Sequence, residues 1–140
     1  MNILFLCVGN SARSQIAEGL AKEMIGPDHN VQSAGSTPTG KIHPGAIKTM
    51  KDFGIDISSH HSKSIDNLEN NFIKSLDFVV TLCAEEICPV LPSKAEKLHW
   101  PIEDPANENF TEFESNIAFE KTREDIFKLI KKFFILNVDV

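Results

Sequence analysis

The chain opens with an unbroken apolar run, Ile3-Leu4-Phe5-Leu6-Cys7-Val8, closed by Gly9-Asn10. Such a run suits a strand buried on both faces of a parallel sheet. Ile16, Leu20 and Met24 then recur every four residues with Ala17 and Ala21 beside them, one apolar face of a helix that Gly26-Pro27 stops. A short strand is expected over Asn30 to Ala34, then a turn-rich loop from Gly35 to Gly40. Pro44 suits the first turn of a helix running to about Phe53, with Gly54 at its C-cap. Ser58 to Ser64 is polar and reads as loop, and Ile65 to Phe72 as a short helix. Leu76 to Leu82 reads as a second buried strand, residues 83–94 as a loop with one possible helical turn, and Lys97 to Trp100 as a last short strand. From Thr111 the pattern is helical, with Ile126, Leu129, Ile130 and Phe133 on one face and Thr111 and Glu114 spaced as a capping box. Strands alternate with helices, so the expected class is α/β: one three-layer α/β/α domain over residues 1–140, with a four-stranded parallel sheet and a site at the C-terminal end of the first strand.

Composition narrows the chemistry. A 140-residue chain with 41% hydrophobic residues builds one core unaided. A net charge of −6 and a pI of about 5.3 set nucleic acid and anionic membranes aside as partners. The same charge repels an anionic substrate, so a site for one must carry its own positive field. No apolar run reaches membrane-spanning length and the first residues lack a leader pattern. Three cysteines, at 7, 83 and 88, form no secreted disulfide framework. The expectation is a cytosolic, reduced protein, and a monomer.

Cys7-Val8-Gly9-Asn10-Ser11-Ala12-Arg13-Ser14 joins the first strand to the first helix. Five residues between cysteine and arginine let a tight loop wrap one tetrahedral anion. Backbone N–H groups from Val8 to Ser14 point inward, and the helix N-terminus adds its positive end. Arg13 closes the ring with a bidentate contact, and the same field favours the thiolate form of Cys7. Ser14 is placed to donate to that sulfur, and Gly9 and Asn10 are residue types that accept left-handed backbone. The competing reading is a strand-end cysteine before an ordinary loop. Asp104, before Pro105, is a candidate general acid, although an Asp-Pro pair equally suits a turn or cap. Cys83 and Cys88 read as packed thiols, as a weak metal pair, or as a redox pair if their loop lets the sulfurs meet.

The Cys7 to Ser14 segment resembles the active-site loop of low-molecular-weight protein tyrosine phosphatases, and the chain more closely resembles the arsenate reductases built on that fold. The likeness runs nearly end to end through Ser14-Gln15-Ile16-Ala17-Glu18-Gly19, Ser33-Ala34-Gly35, Thr81-Leu82-Cys83, Cys88-Pro89, His99-Trp100 and Asp104-Pro105-Ala106. It implies that Cys7 attacks arsenate held by Arg13 and the loop amides, that Asp104 protonates the leaving hydroxide, and that Cys83 resolves the adduct. Cys88 then takes the disulfide as the final cysteine, for reduction by thioredoxin or another thiol system. Ala106 stands where phosphatases of this fold usually carry an aromatic residue, which favours a small inorganic substrate. Relatives commonly have a longer interval between the last two cysteines than Ala84-Glu85-Glu86-Ile87. Some also bind potassium through positions matching Asn10, Glu18 and Ser33 plus an acidic residue. Here the fourth position is Lys63, whose ammonium is able to replace the cation, so no metal and no cofactor is expected.

Two other readings compete with the reductase. One is a phosphatase using Cys7, Arg13 and Asp104, for which Cys83 and Cys88 have no use. The other is a non-catalytic anion-binding or redox-sensing module, for which Asp104 has none. The histidines at 29, 43, 60, 61 and 99 show no metal-ligand spacing and read as surface or loop residues. Lys128, Lys131 and Lys132 read as a solvated helix face, and Trp100 as packing.

Overall fold

The computed structural model describes residues 1–84 and 88–137. The elements run β1 (Asn2–Cys7), α1 (Arg13–Ile25), β2 (Asn30–Gly35), α2 (Pro44–Asp52), a 3-10 turn (Ile65–Asn67), α3 (Asn70–Lys74), β3 (Phe78–Thr81), β4 (Glu96–His99) and α4 (Glu112–Asn137). All four strands are parallel, in the order β2-β1-β3-β4. The order reverses direction at β1, so the crevice at its C-terminal end is the topological switch point where open α/β sheets bind ligands. The expected class and strand number are those observed.

β1 shows why an apolar run makes a central strand. Ile3 and Phe5 point into the cluster formed with Ile16, Leu20, Phe119, Ile126 and Ile130 of α1 and α4. Leu4 and Leu6 point the other way, against Leu68, Phe72 and Leu76. A period-2 strand covered by helices on both faces needs apolar residues at every position. Each of these side chains contributes roughly 1.5–3 kcal/mol on full burial, so β1 anchors the irregular loop that follows it.

Boundaries moved by one or two residues, except in one stretch. The single helix expected over Ile65 to Phe72 is two pieces, a 3-10 turn capped by Ser64 and then α3. Leu68 breaks them apart with extended backbone (ψ 142°) and turns its side chain into the second core cluster. Burial of one leucine outweighs a few tenths of a kcal/mol of helix propensity. The helical turn considered for residues 83–94 is absent from Cys88 to Lys94, while residues 85–87 of that loop lie outside the described ones. The Thr111–Glu114 capping box is present: the Thr111 N–H donates to Glu114 Oε1 and the Glu114 N–H to Thr111 Oγ1, each at 3.1 Å. Gly26 (φ 78°) ends α1, and Gly54 (φ 86°) follows the Phe53 cap of α2. No helix among the described residues is long and apolar enough to cross a membrane.

Gly35 closes β2 opposite Cys7. A Cβ built there would lie 2.3 Å from the Val8 carbonyl oxygen and 3.0 Å from the Asn10 nitrogen. Both are backbone atoms of the loop after β1, so neither has a rotamer with which to yield. Gly35→Ala is expected to cost about 1–3 kcal/mol in urea unfolding by overpacking, and an unchanged midpoint would show that β2 and the loop have room to part.

Candidate active site

The loop between β1 and α1 turns its carbonyls outward one after another. Val8 O accepts from the Thr37 N–H (2.9 Å), Gly9 O from the Thr39 N–H (3.0 Å) and from Ser62 Oγ (3.2 Å), and Ser11 O from the His43 N–H (2.9 Å). Asn10 O accepts from Gln15 Nε2 (3.2 Å) and Ala12 O from the Ile16 N–H (2.9 Å). With every one of these acceptors satisfied, the loop's N–H groups are left to face the ring's interior. The Asn10 N–H is directed at Cys7 Sγ, 3.3 Å away. α1 begins at once with no side-chain cap, so its first-turn N–H groups are not consumed by one.

Asn10 is the loop's one left-handed residue (φ 47°); Gly9, also anticipated there, keeps a negative φ. The reason lies in the Asn10 side chain, which is fully buried and fully bonded. Its Nδ2 donates to Ser14 Oγ (2.7 Å) and Ser33 Oγ (3.0 Å), and its Oδ1 accepts from Gln15 Nε2 (3.0 Å) and the Lys63 N–H (2.9 Å). Those bonds offset the cost of left-handed backbone at a non-glycine residue, of order 1 kcal/mol. Because Asn10 Nδ2 donates into Ser14 Oγ, the Ser14 proton is free for Cys7 Sγ, 2.9 Å away. Ser14 thus stands where the sequence placed it.

Arg13 is buried and reaches across to the loop after β4. Its Nη1 donates to the Ile102 carbonyl (2.9 Å), and its Nη2 lies 3.9 Å from Asp104 Oδ2. The Ile102 N–H in turn donates to Leu82 O. Arg13 therefore ties the loop's closing residue to the segment that carries Asp104. The Asp104 carboxylate is half exposed and shares a cleft with Cys7, Arg13, Thr39, His43, Ala106 and Ser115, of about 630 Å³. Its Oδ1 accepts from the Ala106 N–H (2.9 Å), so the turn reading of Asp-Pro is also realised, in the same residue.

Cys83 leaves β3 beside this loop, since the Leu82 N–H donates to Leu6 O. It is buried and disulfide-bonded to Cys88, with 5.5 Å between their Cα atoms, while Cys7 is a free, buried thiol. Cys88 is only half-buried and is the more accessible sulfur carrier of the pair. The reading of two separate packed thiols is thereby corrected.

Behind the loop lies a charged cluster that sequence reading saw only in part. Glu18 Oε1 accepts from Ser33 Oγ (2.6 Å), and Glu18 Oε2 accepts from Lys22 Nζ (2.7 Å). Lys63 Nζ lies 3.9 Å from Oε1, and His60 Nδ1 lies 3.5 Å from Oε2 and 3.1 Å from Gln15 Oε1. The nearer ammonium is that of Lys22, not Lys63. Burial alone would raise the Glu18 pKa, but the Lys22 and Ser33 hydrogen bonds and the charges of Lys22 and His60 outweigh it, and the carboxyl sits below its ordinary range. Burial lowers Lys63 and His60, with Glu18 opposing in both. These residues do not fit a bound cation, because the one carboxylate is already met by two ammonium groups. His60 is therefore no simple surface histidine, and His43 caps α2 through Nδ1 and lines the cleft. The available signal for His43 was its position directly before Pro44, at a helix N-cap.

This is the architecture of a parallel α/β protein with a free cysteine at the C-terminal end of its first strand, at the base of a tight loop. The sequence model of the low molecular weight phosphotyrosine protein phosphatases matches residues 2–138, and the chain belongs to that family. It is 47% identical over 133 residues to "Arsenate reductase 1" of Staphylococcus saprophyticus, covering 94% of each chain. Among solved structures it is similar to "An arsenate reductase in the phosphate binding state", with a TM-score of 0.77, 29% identity and 96% of each chain covered. It is also similar to a thioredoxin-dependent arsenate reductase of Corynebacterium glutamicum, with a TM-score of 0.69 and 30% identity, over 96% of this chain and 62% of that one.

His60 carries a test of the cluster. Its lowered pKa means that the unfolded chain binds a proton near the ordinary value of 6.5, where the folded protein does not. Its contribution is present above that pH and lost as pH falls towards the lower folded value. Glu18, also held low, adds a loss of the same sign at more acidic pH. His60→Gln is expected to flatten the decline in urea midpoint between about pH 7.5 and 5.5; equal declines in both proteins would clear His60.

Proposed function

We propose that this protein reduces arsenate to arsenite by a relay of its three cysteines. The observation that carries the reading is the Cys83–Cys88 disulfide beside an oxyanion loop whose own Cys7 remains a free thiol. That is the state a relay leaves behind after passing oxidation outward. The similarity to curated arsenate reductases over nearly the whole chain supports the substrate.

In this mechanism the loop N–H groups from Val8 to Ser14 and the Arg13 guanidinium hold arsenate against Cys7. The Cys7 thiolate bonds to arsenic, and Asp104 gives its proton to the departing hydroxide, which leaves as water. The Cys83 thiolate then attacks Cys7 Sγ. As the sulfur–sulfur bond forms, the electron pair of the sulfur–arsenic bond stays on arsenic, which falls from the +5 to the +3 state and leaves as arsenite. The Cys88 thiolate attacks Cys83, frees Cys7 and leaves the Cys83–Cys88 disulfide. A protein dithiol of the thioredoxin type reduces it, entering at the more accessible Cys88. Ser14 steadies the Cys7 sulfur throughout, through the bond that Asn10 orients.

A coupled assay with arsenate, thioredoxin, thioredoxin reductase and NADPH tests the relay. Arsenate-dependent NADPH loss is expected, and Cys83→Ser and Cys88→Ser should each lower it by more than about a hundredfold. Absence of arsenite, together with hydrolysis of an aryl phosphate that survives both substitutions, would replace this reading with a phosphatase that uses Cys7, Arg13 and Asp104 alone.

A further inference from the structure

The cleft holds a side chain that the relay does not use. The His43 backbone N–H donates to Ser11 O (2.9 Å), which joins the start of α2 directly to the oxyanion loop. Its Nδ1 accepts from the Gly45 N–H at 2.9 Å. A ring nitrogen that accepts carries no proton, so the neutral ring bears its proton on Nε2. The ring is clamped as well as oriented. It stacks on Phe119 with centroids 4.7 Å apart, and Phe119 also presses on Gly45, where a Cβ would lie 2.5 Å from the phenyl carbons.

Nε2 has no protein partner among the described residues, yet no buried side-chain nitrogen or oxygen among them lacks one. Nε2 is therefore open to solvent, and the ring it belongs to lines the cleft that holds Cys7, Arg13 and Asp104. Around that cleft Asp104, Glu108 and Glu112 supply negative charge, and among the described residues Arg13 is the one lysine or arginine in its lining. An anion entering there needs every donor available.

We propose that His43 is a further oxyanion-binding residue, its Nε2–H donating to an oxygen of the tetrahedral anion seated in the Cys7 loop. The ligand class is the tetrahedral oxyanion that arsenate and phosphate share. The inference rests on the oxyanion-loop part of the function proposed above and not on the redox relay. The fixed ring makes the donor preorganised: no side-chain freedom is lost when the anion arrives.

Two substitutions separate the donor from the helix cap. His43→Asn keeps an acceptor where Nδ1 caps Gly45 but removes the Nε2 donor. His43→Gln places an amide N–H near the Nε2 position and gives up the cap. The readouts are the Kd of inorganic phosphate for the reduced full chain by calorimetry, the rate of Cys7 alkylation by iodoacetamide without anion, and the urea midpoint. His43→Asn is expected to weaken phosphate about tenfold or more, as loss of a hydrogen bond to a charged group does, with alkylation as in the parent and a midpoint lowered only by the lost Phe119 stack. His43→Gln is expected to bind phosphate more tightly than His43→Asn while unfolding at lower urea. Phosphate binding unchanged in His43→Asn overturns the proposal, as does weakening in both variants that merely tracks their loss of stability. A parent protein that binds no phosphate would instead overturn the oxyanion loop itself. Failure of the arsenate assay with phosphate binding intact would remove the relay and leave His43 standing.

Discussion

Five consecutive backbone carbonyls, from Val8 to Ala12, must all point away from one small volume for an anion to enter it. Each does so because something outside receives it: Thr37, Thr39 with Ser62, Gln15, His43 and Ile16. A peptide ring that turns its oxygens outward leaves its N–H groups to turn inward, as the Asn10 N–H does towards Cys7 Sγ. The rest of the structure serves this constraint. β2 stops at Gly35 because only a residue without Cβ lets the strand end lie against the Val8 carbonyl. The 37–43 segment is a wall of N–H donors. Asn10 accepts left-handed backbone because its amide is bonded at both ends inside the protein.

A positive site in a chain of net charge −6 also shows where the compensating charge is kept. Glu18 is a buried carboxylate in the loop's supporting network, held one hydrogen bond behind Ser33 and facing Lys22, Lys63 and His60. Its field is spent on the ammonium groups of Lys22 and Lys63. Arg13 donates to Ile102 O and approaches Asp104 to 3.9 Å, which ties the segment after β4 to the start of α1. A continuous chain of contacts, Cys7–Ser14–Asn10–Ser33–Glu18, runs from the cysteine to the buried carboxylate.

The placement of the cysteines depends on sheet order. β3 lies beside β1, so a cysteine one residue past Leu82 emerges next to a cysteine at the end of β1. Seventy-six positions of chain separate Cys7 from Cys83, but one strand spacing separates the strands that carry them. The short interval to Cys88 keeps the last sulfur within bonding reach at an accessible edge of the same loop.

The amino-acid sequence by itself determined the elements whose signal is local. β1 was legible because a doubly covered strand must be apolar at every residue, and the capping box at Thr111 and Glu114 because it closes within four residues. The Cys7 to Arg13 spacing marked the loop after β1 for the same reason: cysteine and arginine lie on one short segment, and the five residues between them fix its size. The break at Leu68 was not legible, because it is set by a core on the far face of the sheet. Nor were the roles of His43 and His60, since an imidazole's meaning lies in what meets its two nitrogens, here Gly45 and the open cleft for one, Gln15 and Glu18 for the other. Those partners come from separate turns of chain, and only tertiary packing brings them within hydrogen-bond distance.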